Sequence, residues 1–429
     1  MTATLDLTAA RTAAWEAFDQ RHEEHVASLQ QFVRIPSARG EELAAQQWMA
    51  RRMESLGLDV EMIECDPDAL ARYPTWSPTD WSYENRPNVA GRWPGTGGGR
   101  SLILNAHVDT TSPEPVELWS RDPWGGEIDG NRLYARGAQD DKAGCCEMLF
   151  VVRALQDAGL RLKGDLILET TIDEECSGNG SLALVAAGYE ADGVLMLDGT
   201  GLGRAIVAHP GHVAFRVTIH GKPVPYISAT HGVNAIEKAS VVIRALRELE
   251  AKKNESVPPR WADTNHPIHF NVYGITGGEW VGTVAARCVL DATLGFMPPE
   301  TVADARAQIE ATVAEAAAQD AWLRDHPPQV TFQGLALEPL DMGDDNPVVA
   351  HLAEAHQVTT GLPLGPVAIT GFCDLHQHSL RRPTPGCLFG PGSGGGAHSV
   401  DEFFDLNDLA PVTKTAIAFV LDWCGWEAT

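Results

Sequence analysis

The sequence predicts an α/β protein, a central mixed sheet with helices on both faces, interrupted by a compact α+β unit. Three observations predict it. Short apolar runs alternate with helical patterns from about residue 102 to residue 197. From His212 the texture changes to strands that alternate apolar and polar residues, and after about residue 335 the first pattern resumes. The implied division is 1–210 with 335–429 as one unit and 211–334 as an insert.

The elements follow in order. The N-terminal stretch reads as one amphipathic helix that closes at Val33, before Pro36, and a second helix, 41–56, stops at Gly57 ahead of strand 59–63. A Pro- and Trp-rich loop, 67–87, contains Trp76 and Trp81. Strands 88–93 and 102–106 flank the turn PGTGGG; helix 142–158, strand 165–171, helix 181–187 and strand 193–197 then alternate. In the insert, HVAFRVTIHG is a strand, with His220 one of its alternating residues. NAIEKASVVIRALRELEAKK is a helix with Ile236, Ile243, Leu246 and Leu249 on one face. Two strands, IHFNVYGITGG and RCVLDATLGFMPP, precede helix 300–318 and strand 329–332; helix 347–356, strand 385–389 and helix 409–421 end the chain.

The 429 residues carry 58 Asp and Glu against 32 Lys and Arg, a formal charge of -26. That excess argues against a nucleic acid or an anionic membrane as partner, since both need a basic patch. No window approaches the roughly 18 consecutive apolar residues of a membrane span. The N-terminus lacks the basic flank and apolar block of a secretory signal, so a cytoplasmic protein is expected. Eight scattered cysteines without a C-x-x-C pair suit reduced thiols, and the adjacent Cys145 and Cys146 cannot easily aim both sulfurs at one ion.

Five segments place metal-ligand residue types at the ends of strands. SLILNAHVDTTSP delivers His107 and Asp109 to the sheet edge, where open α/β sheets bind ligands. LYARGAQDDKAGCC sets Asp140 and Asp141 in a Gly-flanked loop before a helix, so that one can cap the helix while the other faces a cation. LILETTIDEECSGNG ends a strand on Asp173, Glu174 and Glu175, three acids whose mutual repulsion is costly unless solvent or a metal offsets it. VLMLDGTGLG ends on Asp198, and CLFGPGSGGGAHSVDEFF presents His398, followed by the pair Asp401 and Glu402. Two imidazoles with several carboxylates suit a pair of divalent ions sharing one carboxylate.

These segments, in this order, resemble the co-catalytic zinc metallopeptidase family that includes acetylornithine deacetylase, succinyl-diaminopimelate desuccinylase, aminoacylase and glutamate carboxypeptidase. The resemblance covers essentially the whole chain. It implies a zinc-exopeptidase-like fold in which the insert is a lid and dimerisation domain. It assigns His107, Asp140, Glu175, Asp198 and His398 as metal ligands, with Asp140 bridging, and Glu174 and Asp109 as catalytic residues. Glu174 is then the general base and Asp109 orients His107. One or two divalent ions per subunit (Zn, Mn or Co), a small-molecule substrate and a homodimer are implied with them.

Departures from the family lie on the substrate side. The lid histidine that stabilises an oxyanion falls on Pro225 within GKPVPYISATHGVNAI, and proline can neither donate nor take a proton. His231 is a substitute to consider. The substrate-holding arginines of the family correspond here to Thr293 in Asp291-Ala292-Thr293 and His376 in Cys373-Asp374-Leu375-His376. The expected substrate contacts are His231, His376 and Asn271. The implied reaction is hydrolysis of a non-peptide C–N bond, first an amide, by metal-bound hydroxide with Glu174 as base. An aminohydrolase displacing ammonia from an activated aromatic amine, such as a nitroanthranilate, is the alternative. A catalytically silent binding member of the fold is the reading from another class, and the unligated Glu174 speaks against it.

Overall fold

The computed structural model describes residues 6–379, 382–392 and 396–429; the first five residues of the expected N-terminal helix and part of the expected glycine-rich loop, 393–395, lie outside them. The central sheet has nine strands among these residues. Eight run in the order Asp59–Ile63, Asn88–Trp93, Leu166–Thr171, Leu102–His107, Val194–Met196, Gly386–Leu388, Arg204–His209 and Leu340–Asp341, with Gly365–Ala368 also paired to Arg204–His209. The four from Leu166–Thr171 to Gly386–Leu388 are mutually parallel, so their carboxyl ends share one edge. Antiparallel neighbours flank them on both sides.

The apolar runs explain the layering. Leu102–His107 and Leu166–Thr171 are buried at every position, as strands covered on both faces must be. Leu102, Leu104, Leu166, Leu168 and Leu195 face a core shared with the helices Ala143–Asp157 and Leu409–Cys424. Ile103, Ile167, Val194, Met196 and Leu388 face a second cluster with Cys373 and Leu375.

Gly211–Leu337 contains a separate antiparallel sheet, in the order Phe270–Gly277, Arg287–Phe296, Gly211–His220 and Gln329–Leu337, with helices Ala235–Asn254 and Val302–Gln319 packed into its own core. Arg287–Phe296 alternates buried and half-buried residues because helices cover only one face of this sheet. Pro210 joins it to the central sheet after His209, and Glu338 and Pro339 return the chain to the central-sheet strand Leu340–Asp341.

Several elements differ from the sequence reading. The N-terminal helix is two, Leu7–Asp19 and His22–Val33, broken where Arg21 leaves helical geometry to pair with Asp157, while Phe18 stacks on His25 at 4.7 Å. The strand expected to end at Phe332 continues to Leu337, because a bulge opposite Val213 and Phe215, with Gly334 at φ +78°, lets the ladder resume. Helix Ala235–Asn254 buries Ala239, Val242 and Leu246, whereas Ile236 is exposed. Arg204–His209 is an additional strand, masked in the sequence by glycines on its N-terminal side and Pro210 after it.

Candidate metal centre

The shared edge of the four parallel strands collects the polar residues. His107 ends its strand; Asp173, Glu174 and Glu175 follow Thr171; Asp198 follows Met196; His398 comes from the segment after Leu388. Asp140 enters from the loop before Ala143–Asp157. Two glycines let neighbouring backbone press on the Asp198 strand end: a Cβ at Gly144 would lie 1.8 Å from the Leu197 carbonyl oxygen, and one at Gly390 would lie 2.2 Å from that of Asp198.

Asp140 joins the two imidazoles. Its Oδ1 lies 2.9 Å from His107 Nε2 and its Oδ2 lies 3.2 Å from His398 Nε2, whose other partner is Glu175 Oε2 at 2.9 Å. His107 Nδ1 donates to the main-chain carbonyl of Asp109 at 2.9 Å, an acceptor only, so Nε2 is the nitrogen turned to the site and the one whose lone pair would serve an ion that displaced its proton. The Asp109 carboxylate lies 3.6 Å from Nδ1 and accepts from the amides of Glu174 and Glu175 at 3.3 and 3.2 Å. It therefore fixes the acidic loop as well as the imidazole. Glu174 is buried, with Oε2 3.9 Å from His107 Nε2. Asp141 accepts from Gly144 N at 3.2 Å and from His107 N at 3.3 Å, although the residue at the cap of Ala143–Asp157 is Lys142.

The charges are unbalanced. Burial and the charge on Asp140 push Glu175 up to about 7 and Asp198 up to about 6. Burial, despite His107, raises Glu174 well above the ordinary carboxylate range. His398, hydrogen-bonded to Asp140 and Glu175, is pushed up to about 10. Burial would lower His107, yet its bonds to Asp109 and Asp140 hold it well above its usual value. The imidazoles stand in for cations that the carboxylates would otherwise hold.

The donor chemistry fits divalent ions. His107, Asp141 and Asp198 bring three ligand atoms within 4.8 Å of one another, and so do Asp140, Glu175 and His398. The bond from Asp140 to His107 connects the two sets. A third group among the described residues, Glu250, His266 and His269, fits less well, since Glu250 already accepts from Phe270 N at 2.7 Å and pairs with Arg247 at 2.9 Å.

Of the three acids after Thr171, Asp173 is neutralised by protein. Arg86 pairs with Asp173 and with Glu42, all three buried, and Tyr83 OH and Trp81 Nε1 donate to Asp173 Oδ2 at 2.7 and 3.1 Å. Asp173 stands at φ +61°, and its carbonyl accepts from Ser177 N and Gly178 N, so this network holds a strained turn that aims Glu174 and Glu175.

Two clefts, of about 500 and 640 Å³, open beside the site, and both are lined by Arg39, Glu175 and Cys176. The smaller also meets Trp81, Arg216, Tyr273, Thr293 and Phe372, with Arg39 over the Trp81 ring at 4.4 Å and Arg216 paired to Asp291 at 2.6 Å. The sequence reading missed Arg39, Arg216 and Tyr273; an exposed arginine or tyrosine carries no signal until folding sets it on a cleft wall. Of the expected substrate contacts, Asn271 is exposed opposite Thr293, and His231 is exposed at the end of the turn after Pro225. His376 is buried, bonded to the Cys373 carbonyl at 3.1 Å and edge-on to His209, and lines neither cleft.

Residues 103–422 match the sequence profile of Peptidase family M20/M25/M40. The chain belongs to this family. An N-formyl-4-amino-5-aminomethyl-2-methylpyrimidine deformylase of Bacillus subtilis is 30% identical, over 91% of this chain and 91% of its own length. A protein of the same description from Halalkalibacterium halodurans is 27% identical over 95% and 96%. Among solved structures, the Saccharomyces cerevisiae di-peptidase Dug1p superposes with a TM-score of 0.80 at 14% identity, covering 96% of this chain and 98% of that one; the likeness is one of fold. The family match spans His107, Asp140, Glu175, Asp198 and His398, the five candidate ligands.

Arg86→Met would leave two buried carboxylates unpaired behind the acidic loop. A loss of about 3–5 kcal/mol is expected, read as a lower denaturation midpoint in guanidinium chloride. A midpoint equal to wild type would show that the network does not hold this loop.

Proposed function

We propose that this chain is an amidohydrolase that removes a short acyl group from the nitrogen of a small aromatic amine. The observation that carries the reading is the similarity to two deformylases over nearly the full length of the chain, with Glu174 and the ligand set present at one sheet edge. His107, Asp140, Glu175, Asp198 and His398 would hold one or two divalent ions, zinc, manganese or cobalt, with Asp141 beside them. When bound, such ions polarise an acyl oxygen and lower the pKa of water. Glu174, buried and unligated, takes the proton of the attacking water and passes it to the leaving nitrogen. Asp109 holds the tautomer of His107 and the amides of Glu174 and Glu175. Trp81, Tyr273 and Phe372 give the neighbouring cleft an aromatic lining suited to a flat ring.

We further infer that the Gly211–Leu337 unit is a lid through which two copies pair. Its edge strand Phe270–Gly277 exposes Tyr273 and Ile275, and Ile236, Trp280 and Val281 add exposed apolar surface to the same unit. No helix among the described residues is long and apolar enough to cross a membrane. The eight unpaired cysteines suit a reducing compartment and support a cytoplasmic location.

Two measurements test these readings. Cobalt-loaded protein should release formate from N-formylated aminopyrimidines. Glu174→Gln should lower that rate by about 10²–10⁴-fold with metal content retained; undiminished turnover would remove Glu174 from the chemistry. Ammonia release from aromatic amines, without formate release, would favour the aminohydrolase alternative. In sedimentation velocity the wild type should run as a dimer and the double variant Trp280→Lys, Val281→Glu as a monomer. A monomeric wild type would contradict the pairing.

A further inference from the structure

Glu402 lies four residues beyond His398 and belongs to neither ligand set. Its side chain is 1% exposed, and four donors converge on it. Arg136 Nη1 and Gly137 N donate to Oε2 at 2.7 and 3.0 Å; Gln139 N and Asp140 N donate to Oε1 at 3.1 and 3.3 Å. All four belong to the single loop that carries Asp140 into the site, and one is the amide of Asp140 itself.

The backbone around Glu402 ties the same two segments together. Its carbonyl accepts from Ala135 N at 3.1 Å, and the next residues, Phe403–Asp405, pair with Arg132–Tyr134 in a ribbon completed by Glu127–Asp129. On the other side, His398 and Asp401 stand at φ +63° and +57°, and the Asp401 carboxylate accepts from Ser120 N at 2.9 Å. The His398 segment is thus bent by two left-handed residues and then locked to the Asp140 loop within four residues of the imidazole.

We infer that Glu402 is a positioning residue that sets the spacing of Asp140 and His398 and so determines how tightly the metal pair is held. The inference rests on the metal-dependent reading above. The chemistry requires a carboxylate. Each of its oxygens receives two donors, so an amide at this position would turn its NH2 group towards one pair of N–H donors, leaving those donors unpaired. A shorter side chain would leave all four buried donors without an acceptor. Glu402 lines neither cleft, so its effect on substrate binding is small.

The test uses the full chain, wild type, Glu402→Gln and Glu402→Ala. Metal-free protein is first followed by hydrogen exchange at Gly137, Gln139 and Asp140, and by thermal unfolding. Cobalt is then added, and its release to excess chelator is timed at a temperature where every variant is folded. The expected result is lost amide protection, release about 10–100-fold faster in Glu402→Ala, an intermediate value for Glu402→Gln, and a fall in kcat with KM nearly unchanged. Wild-type release rates in both variants, even with a lower melting temperature, would reduce Glu402 to a fold staple and overturn the inference. A wild type that binds no cobalt would instead overturn the metal-dependent reading on which it rests.

Discussion

Carboxylate repulsion around Asp140 is the constraint on which the rest of the structure depends. Asp140, Glu175 and Asp198 meet at the carboxyl ends of parallel strands with Glu174 and Asp141 beside them, and among the described residues the cationic groups in direct contact with Asp140 are two imidazoles. Two like charges 4 Å apart cost about 4 kcal/mol at the effective dielectric of a protein interior. Several such pairs would exceed what a marginally stable fold can absorb unless positive charge is supplied. The upward shifts of Glu175 and Asp198 and the elevated His398 are the same imbalance seen from its two sides. On the proposed reading a pair of divalent ions would resolve it, and the surrounding structure would be the apparatus that holds the acids in place for those ions.

That apparatus is built from neutralised or fully hydrogen-bonded carboxylates one layer out. Asp173 is paired to Arg86 and receives Trp81 and Tyr83; Asp109 holds two loop amides; Glu402 receives four donors. Each anchors a loop in which a neighbouring acid or imidazole remains available to a cation. The division of labour follows from local partners: acids given enough donors are structural, and acids denied them are the candidate ligands. Trp81 links the two roles, since its indole N–H supports Asp173 while its ring faces Arg39 in the cleft.

Much of this was legible in the sequence for a physical reason. Strands buried on both faces read as unbroken apolar runs, and a polar residue at the end of such a run is exposed as an exception; His107, Asp198 and the Asp173–Glu175 triplet were visible in this way. The partners that decide their roles were not. Arg86 lies 87 residues from Asp173 and 44 from Glu42, and no local pattern marks it. The triplet therefore looked like three equivalent acids, although one is balanced by protein. Glu402 was visible only as half of an acidic pair, because its four donors come from a loop more than 260 residues earlier. The cleft was the least legible part. It is assembled from Arg39, Trp81 and Phe372 on loops and from Arg216 and Tyr273 on strands of the insert, which meet only after folding. The break at Gln20 and Arg21 escaped notice because the pairing of Arg21 with Asp157 is likewise tertiary.

The most direct measurement is an anomalous difference map from crystals of cobalt- or zinc-loaded protein, collected at the absorption edge of the metal. Two peaks are predicted, one on each side of the Asp140 carboxylate: one in reach of His107 and Asp198, the other in reach of Glu175 and His398. No peak at Asp140, or density confined to the surface group of Glu250, His266 and His269, would contradict it.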